Sequence, residues 1–460
     1  MSISTDDTRV LRYDGGSLLL EGFPEGERPA GFVFDARVRR WRAPAIRYHD
    51  VVLDLHRRRL PYRDEARAYA LLGRVHHSER KPRDYQREAV EAWRAAGRRG
   101  TVILPTGAGK SFVAELCIAD ADRSALIIAP TIDLVGQWYD GLRRSFGDPV
   151  GILGGGIHEV HDITVSTYDS AWMHIERYGN RFGLIVFDEV HHLPGPAYGI
   201  AAEGAIAPFR LGLTATLERP DGGHERIFQL VGPVVKRLEI TDLAGEFLAE
   251  YQTEVLEVHL SSEDRVAYEQ ARAHYKNFLD EQGIRIASPG GWQEFLRASA
   301  RSRAGRAAFR AWRSSRRILE GAPAKLRLLE ELLRRHRDGR VIVFTNDNAT
   351  VYEISRRLLL PAITHQTDIK ERRYFLSAFS EGTLPVLVTS RVLNEGVDLP
   401  SADVAIVLSG TQTVREHVQR LGRILRKNGD KQAILYELVV ADSVEERVSE
   451  RRRDHVAWRS

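Results

Sequence analysis

Two short stretches of this 460-residue chain carry residue types that could do chemistry. The first is LPTGAGKS, residues 104–111, between the apolar run TVIL and the helical text FVAELCIA. Gly107 and Gly109 allow main-chain N–H groups to close on an anion, and a helix beginning near Lys110 offers it a positive dipole end. With Leu104, Pro105, Thr106 and Ala108 completing the loop, this strand–loop–helix order is what a phosphate cradle requires. It implies ATP as the ligand, Lys110 on the β and γ phosphates, and the Ser111 hydroxyl on Mg²⁺. Against the general pattern G-x-x-x-x-G-K-[ST], the first position is Leu104 instead of glycine.

The second stretch is LIVFDEVHH, residues 184–192, an apolar strand that delivers two acids at its end. Ligands of parallel sheets bind at that end of the strands. Asp188 is placed to hold Mg²⁺ and Glu189 to polarise an attacking water as general base. A zinc site on His191 and His192 is disfavoured, because adjacent histidines point apart and no third ligand has suitable spacing. A phosphate loop alone leaves the far side of the γ phosphate uncompensated. In QRLGRILR, residues 419–426, Arg420, Arg423 and Arg426 recur at helical spacing. An arginine presented there is worth roughly 10³ to 10⁵ in rate. Arg423 and Arg426 are therefore the candidates for that role, with Gln419 of the same stretch as a further catalytic candidate.

Elements must position these groups. Strand-like runs TVILP, ALIIAP, ITVST, LIVFDE and FRLGLTAT, separated by longer helical text, predict a parallel α/β sheet over residues 76–242. RVIVFT, PVLVTS, VAIVL and AILYEL predict a second such sheet over 323–460. Residues 1–75 read as a small separate domain of short strands, turning helical near DEARAYALLGRV. Residues 243–322 read as a linker and a helical insertion, with Tyr268 and Tyr275 on one helical face, a spacing that favours core over base stacking. At about 150 residues per domain the length agrees with a multidomain chain.

Composition bounds the class further. With 43% hydrophobic and 28% charged residues the chain reads as globular, and no apolar run approaches the roughly 18 residues of a membrane span. The amino terminus has neither a basic start nor an apolar stretch, so a cytoplasmic location is expected. One cysteine, Cys117, excludes an internal disulfide and a cysteine-based zinc site, and reads as a buried helix thiol. A net charge of +4 argues only weakly for a polyanion. Arginine clusters at Arg37–Arg42, Arg57–Arg59, Arg297–Arg317 and Arg451–Arg453 suit phosphate, although such clusters also occur as plain solvated faces.

The order of these motifs resembles superfamily-two helicases across both sheet domains. RDYQREAV, with Arg83 and Gln86, is similar to the family's adenine-reading motif. APTIDLVGQW with Thr131 and VSTYDS with Thr167 resemble strand-gripping motifs, and LTAT with Thr214 and Thr216 resembles the motif coupling hydrolysis to movement. In the second sheet domain VIVFTNDN with Thr345 and VTSRVLNEGVDLP with Ser390, Gly396 and Asp398 resemble the remaining DNA-binding and nucleotide-coupling motifs. Hydroxyls and main-chain amides suit a motor because they bind phosphates without reading bases.

Within that superfamily the chain resembles the XPB helicases. The carriers are DEVHH, LTATLERPDGGHE, SSEDRVAYEQARAHYKNFL, PAITHQTDIKERR, REHVQRLGRILR and FVFDARVRRWRAPAIRYHDV. The resemblance implies two RecA-like domains, a small amino-terminal damage-recognition-like domain, a thumb-like insertion near DNA, 3′-to-5′ polarity, nucleotide excision repair and a nuclease partner. Where XPB proteins carry an Arg-Glu-Asp element for strand separation, this chain reads Arg219, Pro220, Asp221. The central carboxylate is lost, and proline removes a donor and fixes φ. Three other readings stand beside a DNA helicase: a duplex translocase that moves without unwinding, an RNA helicase, and an ATP-switched clamp that binds DNA without productive turnover.

Overall fold

The computed structural model describes residues 9–217, 222–239, 242, 250–286, 288, 290–390, 402–408 and 432–453. The chain divides into two compact units, residues 1–104 with 109–238, and 105–108 with 239–460. Arg219, Asp221, Gly396, Asp398, Gln419, Arg423 and Arg426 lie outside the described residues.

The first unit opens with strands β1 (Val10–Asp14), β2 (Ser17–Glu21), β3 (Val33–Asp35), β4 (Arg40–Pro44) and β5 (Arg63–Glu65), in the order β3-β4-β2-β1-β5. Helix α1 (Tyr48–Arg57) buries Tyr48, Val51 and Leu55 with Leu11, Leu18 and Leu20 of the sheet. The helix expected near DEARAYALLGRV is absent. Residues 66–80 instead form an extended strap whose backbone groups are taken by the following sheet domain. Ala68 N donates to Asn180 O, Leu72 N to Asp122 O, and His77 N to Ser145 O, while Ser124 N donates to Ala70 O. A helix would have consumed those same groups internally, so tertiary pairing overrides the local pattern.

The larger sheet contains β6 (Arg99–Ile103), β7 (Ala125–Ala129), β8 (Gly151–Gly154), β9 (Ile157–Glu159), β10 (Ile163–Thr167), β11 (Leu184–Asp188), β12 (Phe209–Thr214) and β13 (Val234–Arg237). Their order is β13-β6-β12-β11-β7-β10-β8-β9, parallel throughout except for the β8–β9 pair. Helices α2 (Asp84–Ala95), α3 (Lys110–Ala121), α4 (Ile132–Phe146), α5 (Tyr168–Tyr178), α6 (Pro196–Glu203) and α7 (His224–Leu230) accompany it. The central strands are buried on both faces, which is why they read as unbroken apolar runs. Cys117 is fully buried in α3 and burial raises its thiol pKa, as expected of an inert helix thiol.

Arg210 on β12 is an exception in that core: it is fully buried, and its guanidinium donates to the carbonyls of Ala202, Ala205, Ala207 and Leu230. It thereby satisfies carbonyls at the C-terminal ends of α6 and α7, which no helical N–H reaches, and two in the segment that follows α6.

The second unit carries a six-stranded parallel sheet, β14 (Glu250–Val258), β15 (Val341–Phe344), β16 (Ala362–Ile363), β17 (Val386–Thr389), β18 (Val404–Val407) and β19 (Gln432–Val440), ordered β14-β19-β18-β15-β17-β16. Strand β14 lies within the segment read as linker. Its alternation of charged and apolar residues suits an edge strand paired on one side only, with β19.

The insertion is helical, as Ser262–Glu281, Gly291–Arg301 and Arg303–Glu320. Its aromatics form core. Tyr268 is buried with Val258, Leu319 and Val440, and Tyr275, Trp292, Phe309 and Trp312 pack around Phe295. Arg303, Arg306, Arg310, Arg313 and Arg317 are left on the exposed face of the last of these helices. Near its end, burial and the neighbouring Asp347 carboxylate raise Glu320 to about 7.

Two measurements follow from these buried polar groups. Arg210→Met strands four carbonyls and should lower the stability of the first unit by about 3 kcal/mol, seen as a drop in urea midpoint. Glu320 keeps its proton to near pH 7 when folded but releases it near the ordinary carboxylate value when unfolded. The folded state therefore binds more protons in that window, and stability should fall as pH rises through it. Glu320→Gln should flatten that part of the pH profile of chemical denaturation.

Candidate active site

The phosphate loop begins where β6 ends. Leu104 is fully buried and its N–H donates to Thr214 O at 3.1 Å, continuing the β6–β12 ladder by one residue. Leucine at this position extends the strand, so the missing glycine of the general pattern marks where the ladder stops. Gly107 and Gly109 have φ of +86° and +77°, and a Cβ at position 109 would lie 2.6 Å from Gln86 Nε2. Only glycine meets both demands at 109. Helix α3 starts at Lys110, whose Nζ donates to Leu104 O at 3.2 Å. Ser111 is exposed at the helix start, and Thr106 Oγ1 is buried with no hydrogen-bond partner among the described residues.

Gln86 is 4% exposed on α2, and its Oε1 accepts the Arg83 N–H at 3.0 Å. Arg83 Nη1 donates to Tyr85 Oη at 3.0 Å. Gln86 of the expected adenine-reading motif is thus brought beside Gly109 of the loop, with Arg83 hydrogen-bonded to it.

Strand β11 ends in Asp188, which is buried. Trp138 Nε1 donates to its Oδ2 at 2.8 Å and the Glu189 N–H to its Oδ1 at 3.0 Å. Burial, reinforced by the Glu189 charge, raises Asp188 to about 6, while Trp138 and Lys110 pull the other way. Glu189 itself adopts φ +47°, ψ +55°, a left-handed backbone that costs a non-glycine residue about 1–2 kcal/mol. Such strain persists where the surroundings over-determine it. Its Oε2 is buried, accepts no hydrogen bond among the described residues, and lies 3.4 Å from His191 Nδ1.

His191 links this acid to the next strand. Its Nδ1 is 3.1 Å from Thr214 Oγ1, which donates to Thr216 O at 2.7 Å and accepts from Thr216 N. A hydrogen-bonded line therefore runs from His191 to Thr214 and Thr216, and Glu189 Oε2 lies beside its His191 end. Sequence reasoning weighed His191 only as a zinc ligand and missed this role, as it missed Trp138. Among the described residues no three His, Cys, Asp or Glu side chains converge on a metal position. A tryptophan on the buried face of α4 was the available signal, because a buried indole N–H needs an acceptor.

The strand-gripping candidates divide. Thr131 and Thr167 cap α4 and α5, their hydroxyls accepting from Leu134 N and Ser170 N. Both stand at helix N-termini at the C-terminal ends of parallel strands, a position suited to phosphate. Thr345 and Ser390 are buried. Thr345 is fully buried with its hydroxyl donated to Asp347 O at 2.9 Å, and Ser390 is 4% exposed. They follow apolar strands, and burial of those strands carries them inside. Thr345 shapes its loop, and the half-buried Asn346, Asp347 and Asn348 of the same loop stand nearer the surface.

Comparison with known proteins agrees with this geometry. Residues 11–66 match the xeroderma pigmentosum group B helicase damage recognition domain, 79–219 the type III restriction enzyme res subunit, and 324–428 the helicase conserved C-terminal domain. A relative from Sulfurisphaera tokodaii, described as a DNA 3′-5′ translocase XPB2, is 42% identical over 372 residues, covering 81% of this chain and 84% of that protein. The chain belongs to the XPB-type superfamily-two helicases. An XPB relative from Mycobacterium tuberculosis, described as a DNA 3′-5′ helicase, is 31% identical over 82% of this chain and 63% of its own length. One from Kineococcus radiotolerans is 31% identical over 78% of this chain and 59% of its own. The present XPB-type chain thus spans about three-fifths of these bacterial relatives. The crystal structure of the Pyrococcus furiosus Hef helicase domain shares the fold, with a TM-score of 0.54, 20% identity, and coverage of 81% of this chain and 98% of that one.

The polar line generates a specific expectation. His191→Ala removes the side chain between Glu189 and Thr214 together with its hydrogen bond to Thr214, so DNA-stimulated ATP turnover should drop on the order of tenfold, about the worth of one buried hydrogen bond. Basal turnover should change less. Steady-state ATPase rates with and without DNA check both.

Proposed function

We propose that this XPB-type chain is an ATP-dependent 3′-to-5′ DNA helicase or translocase whose ATP hydrolysis is stimulated by DNA and which serves nucleotide excision repair. The observation that carries the reading is Glu189 set beside the hydrogen-bonded line His191–Thr214–Thr216 and a glycine-formed phosphate loop. It joins the group that would activate water to a second strand end, as a motor needs when hydrolysis must be felt elsewhere. Relatives described as DNA 3′-5′ helicases and translocases support the polarity and the substrate.

In this reading the main-chain N–H groups of residues 106, 107 and 109, Lys110 and the α3 N-terminus hold the phosphates, and Arg83 and Gln86 read the adenine. Mg²⁺ would be held by Ser111 and Asp188. One hydroxyl and one carboxylate suit a cation that keeps waters and takes its other oxygens from phosphate. When bound it would neutralise charge on the β and γ phosphates. Glu189, with one carboxylate oxygen buried and without a hydrogen bond among the described residues, orients and deprotonates the attacking water. Gln419, Arg423 and Arg426, with Gly396 and Asp398, are the further residues assigned to nucleotide hydrolysis, the arginines to stabilise charge in the transition state. Thr131 and Thr167 grip the DNA backbone, and the exposed arginines 303, 306, 310, 313 and 317 supply positive charge for the same polyanion. A nuclease partner would act on the strand so opened.

Translocation without unwinding is the second reading. Pro220 in place of the central acid of Arg219-Pro220-Asp221 favours it, as does the description of the Sulfurisphaera relative as a translocase. Strand displacement on duplexes with a 3′ or a 5′ single-stranded tail, with ATPase rates read in the same tubes, separates the two. Displacement from the 3′ tail alone is expected. DNA-stimulated hydrolysis with no displacement would leave the translocase, and tight nucleotide-dependent binding with negligible turnover would point to a clamp.

The assigned roles predict distinct defects. Lys110→Ala should weaken ATP binding, whereas Glu189→Gln should retain ATP and lose its cleavage, as measured by nucleotide-binding titration and single-turnover hydrolysis. DNA affinity should fall steeply between 50 and 200 mM salt, by about tenfold or more if several phosphates are contacted.

A further inference from the structure

Glu115 is a carboxylate that the chemistry above does not use. It sits within α3, the helix that begins at Lys110, and is only 4% exposed. Its partners come from two other segments. Ser145 Oγ, at the end of α4, donates to it at 2.7 Å. Arg80 Nη2, at the end of the strap, is 3.1 Å from both carboxylate oxygens, and His76 Nε2 is 3.4 Å away. The Arg80 guanidinium also lies over the Phe112 ring, 4.4 Å from its centroid, while the His76 ring packs between Phe112 and Phe146.

The strap has no helix or strand of its own to hold it straight. Its last fixed point before α2 is this carboxylate. Arg83 follows three residues after Arg80, and Gln86 reaches Gly109 from the first turn of α2. Arg80 is therefore anchored to one turn of α3 while the residues after it are read against the start of the same helix. A shift of the strap along α3 would move Arg83 and Gln86 relative to Lys110.

We propose that Glu115 is a positioning residue of the nucleotide site. Through Arg80 it sets the register between the strap and the phosphate-loop helix, and so holds Arg83 and Gln86 where a purine amine and ring nitrogen are recognised. This rests on the reading of Arg83 and Gln86 as the adenine-reading pair. An ion pair serving stability alone would lower the amount of folded enzyme and leave base discrimination untouched.

The test compares KM for ATP with KM for CTP, at saturating DNA, in Arg80→Ala, Arg80→Lys, Glu115→Gln and Gln86→Ala. Arg80 is largely exposed, so its variants should fold. Arg80→Ala and Glu115→Gln are expected to raise KM for ATP about fivefold, less than one full charged hydrogen bond is worth, with KM for CTP within about twofold of the parent. Arg80→Lys, which keeps a donor, should restore most of the discrimination. If Gln86→Ala loses discrimination while Arg80→Ala and Glu115→Gln keep it, the positioning role is wrong and the adenine reading stands. If Gln86→Ala itself keeps the parental discrimination, the adenine reading fails and the proposal falls with it.

Discussion

Burying a carboxylate at the end of a central strand is the constraint on which the rest of the first unit depends. Asp188 is carried to that position because β11 lies between β7 and β12 in the middle of a parallel sheet. An isolated carboxylate there would be expensive, and its raised pKa is the measure of that cost. Trp138, the Glu189 amide and the field of Lys110 offset part of it. Those demands fix α4 against the strand end, the turn after β11 in a left-handed backbone, and the start of α3 beside both. The catalytic arrangement and the packing of the domain are thus solutions to one electrostatic problem.

The same logic explains why the polar side chains inside this domain occur in connected groups. Glu115, Asp188, Thr214 and Arg210 are each buried, and each is matched to donors or acceptors on a different element. A buried polar group with fixed partners permits one arrangement of the elements it joins, whereas apolar contacts tolerate sliding. His191, Thr214 and Thr216 form one such joint between the turn after β11 and the end of β12.

The two sheets and the loop, acid and threonine motifs were legible in the sequence because parallel central strands are continuous apolar runs and because glycine, lysine and acid spacing is dictated by phosphate geometry. Other elements were hidden for identifiable reasons. Strand β14 alternates polar and apolar residues and pairs on one side, so it read as linker. The strap looked helical by period, yet its backbone groups are claimed by Asn180, Asp122, Ser124 and Ser145. Thr345 was singled out by the resemblance of VIVFTNDN to a helicase motif, whereas the hydrogen bond of its hydroxyl to Asp347 O was not legible in the sequence.

The sequence by itself determined the chemical inventory: a glycine-built anion loop, a lysine, an acid pair, and the domains to carry them, since each needs specific residue types at short range. Tertiary structure alone decided which groups meet. His191 is two residues from Glu189 in the chain, but its connection to Thr214 exists only because β11 and β12 are neighbours. Arg80 and Glu115 are 35 positions apart and are joined only by the path of the strap across the domain. Short-range spacing can specify a loop or a cap, whereas partners supplied by separate elements depend on the packing of the whole sheet.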